Sequence, residues 1–234
     1  MSVRFGIAVF PGTWSDRDCI HAVGLTGADA VPLWHADRDL KGCDVVILPG
    51  GFAYGDYLRA GAIARFAPLM EAVGEHARAG GPVLGICNGF QILCEAGLLP
   101  GALLRNSSLQ FRCQPTWLRL EAAKGPFLSS CRPGQLLRVP VSHGEGRFYA
   151  DRECLAQLNG EGRVAFRYSD RAGALTTAAN PNGSLENIAG ILNPEGNVLG
   201  MMPHPERACE ELLGSDHGLA LFNSAIHHLG GAPG

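Results

Sequence analysis

The segment "GICNGFQIL", residues 85–93, sets Cys87 between two glycines, at the end of an apolar run and the start of a helical pattern. Two readings compete for this thiol: a small buried hydrophobe in a turn, or a nucleophile held out for attack. The G-x-C-x-G spacing is the form of a nucleophile elbow, in which glycines allow a sharp strand-to-helix turn with the reactive side chain at its apex. The helix that follows would bring free N–H groups and the positive end of its dipole to the sulfur, both of which favour a thiolate. A thiol nucleophile also needs a base, and the base an orienting group. Of the eight histidines, His204 stands in "MMPHPERA", bracketed by two prolines. Pro205 directs His204 towards extended geometry, where residues two apart share a face with roughly 7 Å between their Cα atoms. His204 and Glu206 would then project together, the carboxylate holding one imidazole nitrogen while the other faces the thiol. A lone histidine is usually solvated or satisfied in a core, but this bracketing is harder to explain that way. Acyl transfer further needs donors for an oxyanion, each typically worth about 3 kcal/mol in the transition state. The backbone N–H of Asn88, just after the thiol, and that of Gly51, in a second glycine turn, are the candidates. Gly50 and Gly51 also serve simple turn geometry.

These residues need a scaffold, and the first half of the chain supplies one by alternating strand and helix signals. Residues 3–10 ("VRFGIAVF") read as a strand, followed by a helix that Ser15 could cap, with Asp16 and Asp18 in its first turn. A short strand near residues 30–33 and a buried strand at 44–51 ("DVVILPGG") follow. Residues 62–81 are helical by period, with Ile63, Phe66, Met70, Val73 and Ala77 on one face, and Pro68 kinks this helix or delays its start. "PVLGI" (82–86) is another buried strand, and "NGFQILCEAG" a short helix closed by Gly97. Such alternation implies α/β architecture, a mostly parallel sheet covered on both faces. In such sheets ligands bind at the carboxyl ends of strands, near a topological switch point. The second half instead holds short strand-like runs, "CQPTWLRLEA", "QLLRVPVSH", "RVAFRYSD", "IAGILN" and "NVLGMMP", separated by turns such as "NPNGS" and "NPEGN". These read as an antiparallel extension. A helix over about 216–229 and a flexible "GGAPG" tail close the chain.

The bulk numbers narrow the function. The chain has 234 residues, 46% hydrophobic and 18% charged, with no linker-like stretch, and reads as a single domain over 1–234. A net charge of −3 gives no footprint for nucleic acid. No apolar run reaches the roughly 20 residues that span a bilayer. The opening "MSVRFGIAVFPG" lacks signal-peptide character and reads as a strand, which predicts a cytoplasmic location. The eight cysteines are scattered and form no C-x-x-C, so neither a disulfide framework nor a structural zinc site is expected. Most are packing thiols. Neither G-x-x-x-x-G-K-[ST] nor G-x-G-x-x-G opening a helix occurs, so no nucleotide site, metal or organic cofactor is expected in this chain.

"PGG", "GICNGFQ" and "PHPE", in this order, resemble the class I, triad-type glutamine amidotransferases, whose Cys–His–Glu site hydrolyses the side-chain amide of glutamine. "LPGGFAYGDYLRAGAIA", "LLRNSS", "HGEGRF", "NPNGS" and "MMPHPER" are similar to the glutaminase subunits of phosphoribosylformylglycinamidine synthase, of purine biosynthesis. The matching segments run from Pro49 to Arg207, and the first strand fits too. The resemblance implies a flavodoxin-like class I amidotransferase fold. It makes Cys87 the nucleophile, His204 the general base and acid, and Glu206 its orienter. It gives Gln91 and Gly50 to the binding of L-glutamine, and has Arg59 and the segment from His143 to Phe148 line the pocket or meet a partner. It also implies a large synthetase subunit that uses ATP and magnesium to convert formylglycinamide ribonucleotide with the released ammonia, and a small third subunit. A protected route for ammonia would place the docking surface around the mouth of the site, in the second-half turns. Three other readings are an amidotransferase with a different ammonia acceptor, a non-amidotransferase cysteine protein on a similar scaffold, and a subunit with a dead site. "GGFAYGDYLRAG" and "HGEGR" speak against the first, "PHPE" against the second, and the intact Cys–His–Glu set against the third.

Overall fold

The computed structural model describes residues 2–230; most of the expected flexible tail, 231–234, lies outside them. In chain order the elements are β1 (Arg4–Val9), α1 (Asp16–Gly24), β2 (Asp29–Trp34), β3 (Val45–Leu48), α2 (Pro68–Arg78), β4 (Val83–Ile86), α3 (Asn88–Glu95), β5 (Ala102–Leu104), β6 (Arg112–Leu120), β7 (Leu136–His143), β8 (Arg147–Tyr149), α4 (Arg152–Gly160), β9 (Val164–Ser169), β10 (Ile188–Leu192), β11 (Val198–Met201) and α5 (Leu219–His228). A nine-stranded sheet runs β2-β1-β3-β4-β11-β10-β9-β6-β7, and β5 and β8 form a separate ribbon. From β2 to β11 all neighbours are parallel. From β11 onward each pair is antiparallel.

The burial of each strand follows from its place. β3 ("VVIL") and β4 ("VLGI") are covered on both faces and buried at every position, which is why they read as continuous apolar runs. The edge strand β7 ("LLRVPVSH") buries alternate residues only. The chain leaves β1 for β2 on one side and enters β3 on the other. With right-handed crossovers, α1 and α2 therefore cover opposite faces, and the order reverses at β1, the switch point.

Several expectations need correction. The run "NVLGMMP" was expected in the antiparallel part, yet β11 lies parallel to β4 and joins the two halves of the sheet. Strand order within a sheet is a long-range property that no local pattern carries. Within 62–81 Pro68 does delay the helix, as its place in the pattern implies: a 3-10 turn at Ala64–Phe66 precedes α2, which starts with Pro68 at its first position. Proline suits that position, because the missing N–H would have had no acceptor there. Phe66, expected on the buried face, is 72% exposed as a result. Ser15 stands at the N-cap of α1 but makes no capping bond; its hydroxyl accepts from Arg207 Nη2 at 2.7 Å instead. Helix α4 was not anticipated, although Asp151 caps it by accepting from the Cys154 N–H at 2.8 Å. Only Leu158 of that helix is buried, so its apolar period is weak. Among the described residues no helix is long and apolar enough to cross a membrane.

Candidate active site

The end of β4 delivers Cys87 directly to the N-terminus of α3. Its backbone has φ 51° and ψ −105°, a conformation L-residues rarely adopt. Such strain, of order 1–3 kcal/mol, persists only where the surroundings over-determine it. Here the Cys87 N–H donates to the Met201 carbonyl at 2.8 Å, and the Cys87 carbonyl accepts from the Gln91 N–H at 3.1 Å. The flanking glycines serve a different purpose from the one the spacing suggests. The positive φ falls on Cys87 itself, while Gly85 and Gly89 permit close approach. A Cβ on Gly85 would lie 2.5 Å from Leu93 Cδ1, and one on Gly89 would overlap the Leu48 carbonyl oxygen. The elbow is thus pressed onto β3 by backbone contact.

The neighbouring strand β11 leads into the candidate base. His204 and Glu206 follow it, and both are buried. Nδ1 of His204 and Oε1 of Glu206 are 2.6 Å apart. The extended geometry expected for this segment is not continued, since Pro205–Arg207 forms a 3-10 turn. The turn still sets the two side chains against each other. Burial alone would lower the His204 pKa, but the Glu206 carboxylate and the facing Cys87 sulfur outweigh it and hold the imidazole above its ordinary value. Nε2 of His204 has no partner. The Cys87 thiol instead donates to the Ser142 carbonyl oxygen, 3.7 Å away. Arg207 anchors the turn to α1 through Ser15 and through Asp18 Oδ2 at 3.1 Å.

The residues meet at a cavity of about 440 Å³ whose wall includes Gly51, Cys87, Gln91 and His204. It lies past the carboxyl ends of β3, β4 and β11, beside the switch point. Gly51 has φ +155°, and a Cβ there would lie 2.7 Å from the Gly12 carbonyl oxygen. Among the described residues its N–H makes no hydrogen bond, and the N–H of Asn88, at the start of α3, has no intrahelical acceptor. Both are free to serve an oxyanion. Gly50 sits against the base rather than on the cavity wall: its Cβ position is 2.6 Å from His204 Cε1. Arg59 stays outside too, in an exposed bidentate pair with Glu95 at 2.6 Å for both bonds.

Further side chains complete the wall. Asn88 uses its side chain as a hub. It accepts from the Ala53 N–H at 3.0 Å, donates to Gln91 Oε1 at 2.9 Å and approaches Asp56 Oδ1 at 3.3 Å. Gln91 Nε2 in turn donates to the Glu145 carbonyl at 2.6 Å. From the segment after β7, His143, Gly144 and Glu145 line the cavity. Asn182 Nδ2 lies 3.0 Å from His143 Nε2 and can only donate there, which leaves the ring proton on Nδ1. Burial, reinforced by nearby His204, pushes the His143 pKa down to about 3, so this ring stays neutral.

Comparison with known proteins gives the family and the fold. A family model described as a CobB/CobQ-like glutamine amidotransferase domain matches residues 2–221. The phosphoribosylformylglycinamidine synthase subunit PurQ of Moorella thermoacetica is 57% identical over 225 residues, covering 96% of this chain and 95% of that one. Its counterpart from Salinibacter ruber is 54% identical over 98% of both chains. Among solved structures, a chain of PurLQS from Thermotoga maritima superposes with a TM-score of 0.87 at 41% identity, covering 98% of this chain and 100% of that one. A putative GMP synthase subunit from Thermoplasma acidophilum shares the fold alone, at 15% identity and a TM-score of 0.61. With near-complete coverage in both sequence and structure, the chain belongs to the glutamine amidotransferase family, in the branch of the PurQ subunits of phosphoribosylformylglycinamidine synthase.

Proposed function

We propose that this chain hydrolyses glutamine to glutamate and ammonia and passes the ammonia to a synthetase subunit, which uses ATP to convert formylglycinamide ribonucleotide to formylglycinamidine ribonucleotide in purine biosynthesis. The observation that carries this reading is the buried His204–Glu206 pair at 2.6 Å, set beside a thiol at the N-terminus of a helix in one cavity. In the first step the Cys87 thiol gives its proton to Nε2 of His204 as the sulfur attacks the carboxamide carbon, and the N–H groups of Gly51 and Asn88 receive the oxyanion. The imidazolium of His204 gives its proton to the departing nitrogen; the C–N bond breaks and ammonia leaves a γ-glutamyl thioester. Neutral His204 then takes a proton from water, whose oxygen attacks the thioester. Glutamate departs and the thiol is restored. Glu206 orients the ring on Nδ1 and stabilises its charged form throughout. Every one of these steps is carried by side chains and backbone amides of this chain, while ATP and magnesium belong to the synthetase partner.

Ammonia released into water at neutral pH is protonated and loses its nucleophilicity, so the mouth of the cavity is the natural face for the partner. Its rim is aromatic: Trp14, Phe52 and Phe111 are 71%, 47% and 53% exposed. Exposed aromatic rims of this kind mark interaction surfaces. A cytoplasmic location accords with free thiols at all eight cysteines. The test is glutamate release by the assembled complex, with wild-type chain and with Cys87→Ala. Loss of hydrolysis in the variant is expected; substantial residual hydrolysis would refute the mechanism.

A further inference from the structure

Two carboxylates line the cavity beside the reacting groups, and the mechanism above uses neither. Asp56 and Glu145 come from segments far apart in sequence, yet both face the space in front of Cys87. Among the described residues Asp56 has no cationic partner; its one side-chain contact is Asn88 Nδ2 at 3.3 Å. Glu145 pairs with Arg105 at 3.3 Å, but that guanidinium is 78% exposed and faces outward. Burial, with the repulsion of Glu145, raises the Asp56 pKa to about 6, opposed by the Asn88 contact. Among the described residues the cavity therefore sets a carboxylate with no cation on it beside one whose cation is an exposed guanidinium, which is the arrangement a cationic ligand group relieves. A second observation also points to a missing ligand. His143, only 3% exposed, lines the same cavity and keeps Nδ1 without a partner among the described residues.

The segments that bear both carboxylates are tied to the helix that begins at the nucleophile. Asn88, the residue after Cys87, grips the loop bearing Asp56 through the Ala53 N–H, and Gln91, one turn further on, grips the backbone of Glu145. A substrate whose carboxamide sits at Cys87 would have its far end placed by these two anchors. Glutamine carries a cation at that end, its α-ammonium group. We propose that Asp56 and Glu145 together form the receptor for the α-ammonium group of glutamine and so select an α-amino acid amide over amides that lack the amino group. This inference rests on the reading of the cavity as the glutamine site.

The test compares L-glutamine with 4-carbamoylbutanoate, the same amide with hydrogen in place of the α-ammonium, as substrates of the assembled complex. Asp56→Asn and Glu145→Gln keep shape and hydrogen-bonding capacity while removing charge. Each is expected to raise KM for glutamine about tenfold or more, with a much smaller change in kcat, and to lower by a similar factor the ratio of kcat/KM for glutamine to that for the des-amino amide. An unchanged ratio overturns the proposal, whether both substrates are affected equally, as a merely structural role would produce, or neither is. Cys87→Ala run in parallel separates the two levels. If it abolishes hydrolysis while the ratio is unmoved by either charge removal, only the receptor assignment falls. If Cys87→Ala retains hydrolysis, the glutamine site itself is misplaced, and the receptor falls with it.

Discussion

The Cys87 thiol points to the Ser142 carbonyl oxygen, 3.7 Å away, and leaves Nε2 of His204 without a partner. The sulfur still faces the imidazole and helps hold it above its ordinary pKa, while the thiol's hydrogen bond goes to the Ser142 carbonyl. Ser142 lies next to His143, Gly144 and Glu145 on the cavity wall. A partner or ligand that displaces this segment frees the thiol. Alkylation of Cys87 by iodoacetamide, followed by mass spectrometry of its peptide, should run several-fold faster in the assembled complex than in the free chain. Equal rates would show that the Ser142 contact does not restrain the sulfur.

Glu206→Gln should keep the fold and lower kcat by about two to four orders of magnitude, because the ring loses both its orienting group and the charge that stabilises the imidazolium. The Glu206 carboxylate holds the His204 pKa above its ordinary value. Removing it should shift the limb of the pH–rate profile that reports His204 to lower pH. A limb that stays in place would assign that titration to another group.

Gly50→Ala and Gly89→Ala should fail in different ways. The methyl group of the first lies 2.6 Å from His204 Cε1, so the ring has to move. A displacement of that kind costs about a hundredfold in kcat with modest loss of stability. The methyl group of the second runs into the Leu48 carbonyl oxygen, a backbone atom that cannot step aside. That variant should lose about 3 kcal/mol or more. Chemical denaturation alongside kinetics separates the two.

His143 gives a pH dependence with a defined sign. Its folded pKa is pushed down to about 3, by burial first and His204 second, whereas an unfolded histidine titrates near 6.5. Between these values the unfolded chain binds the extra proton, so this group makes stability fall as pH drops from about 6.5 towards 3, by up to about 1.4 kcal/mol per pH unit. Denaturation of wild type and His143→Asn from pH 4 to pH 7 should give a flatter dependence for the variant. Parallel curves would contradict the buried neutral ring.

The reacting groups were legible because their signals are local. A glycine-flanked cysteine after an apolar run and a histidine between two prolines each announce a backbone event within a few residues. Asp56, Ser142, Glu145 and Asn182 were not legible as one site, because the fold brings them together from four segments and no spacing links them. The parallel core could be read from its continuous apolar strands. The insertion of β11 beside β4 could not, since a four-residue apolar run looks alike in either direction. Ser15 illustrates the limit at single residues: its type and position suit a helix cap, and a guanidinium almost two hundred positions away, Arg207, takes its hydroxyl.

The placement of β11 has one more consequence. Cys87 leaves β4, and His204 leaves the strand hydrogen-bonded to it, although more than a hundred residues of chain separate them. A ribosome making this protein therefore completes the elbow early and the base late. Until Glu206 has left the exit tunnel, the nascent chain carries a thiol with nothing to activate it. Prematurely terminated products and proteolytic stubs ending before β11 inherit the same inertness. Glutamine in the cell is thus exposed to a working active site only on chains synthesised past β11 and Glu206.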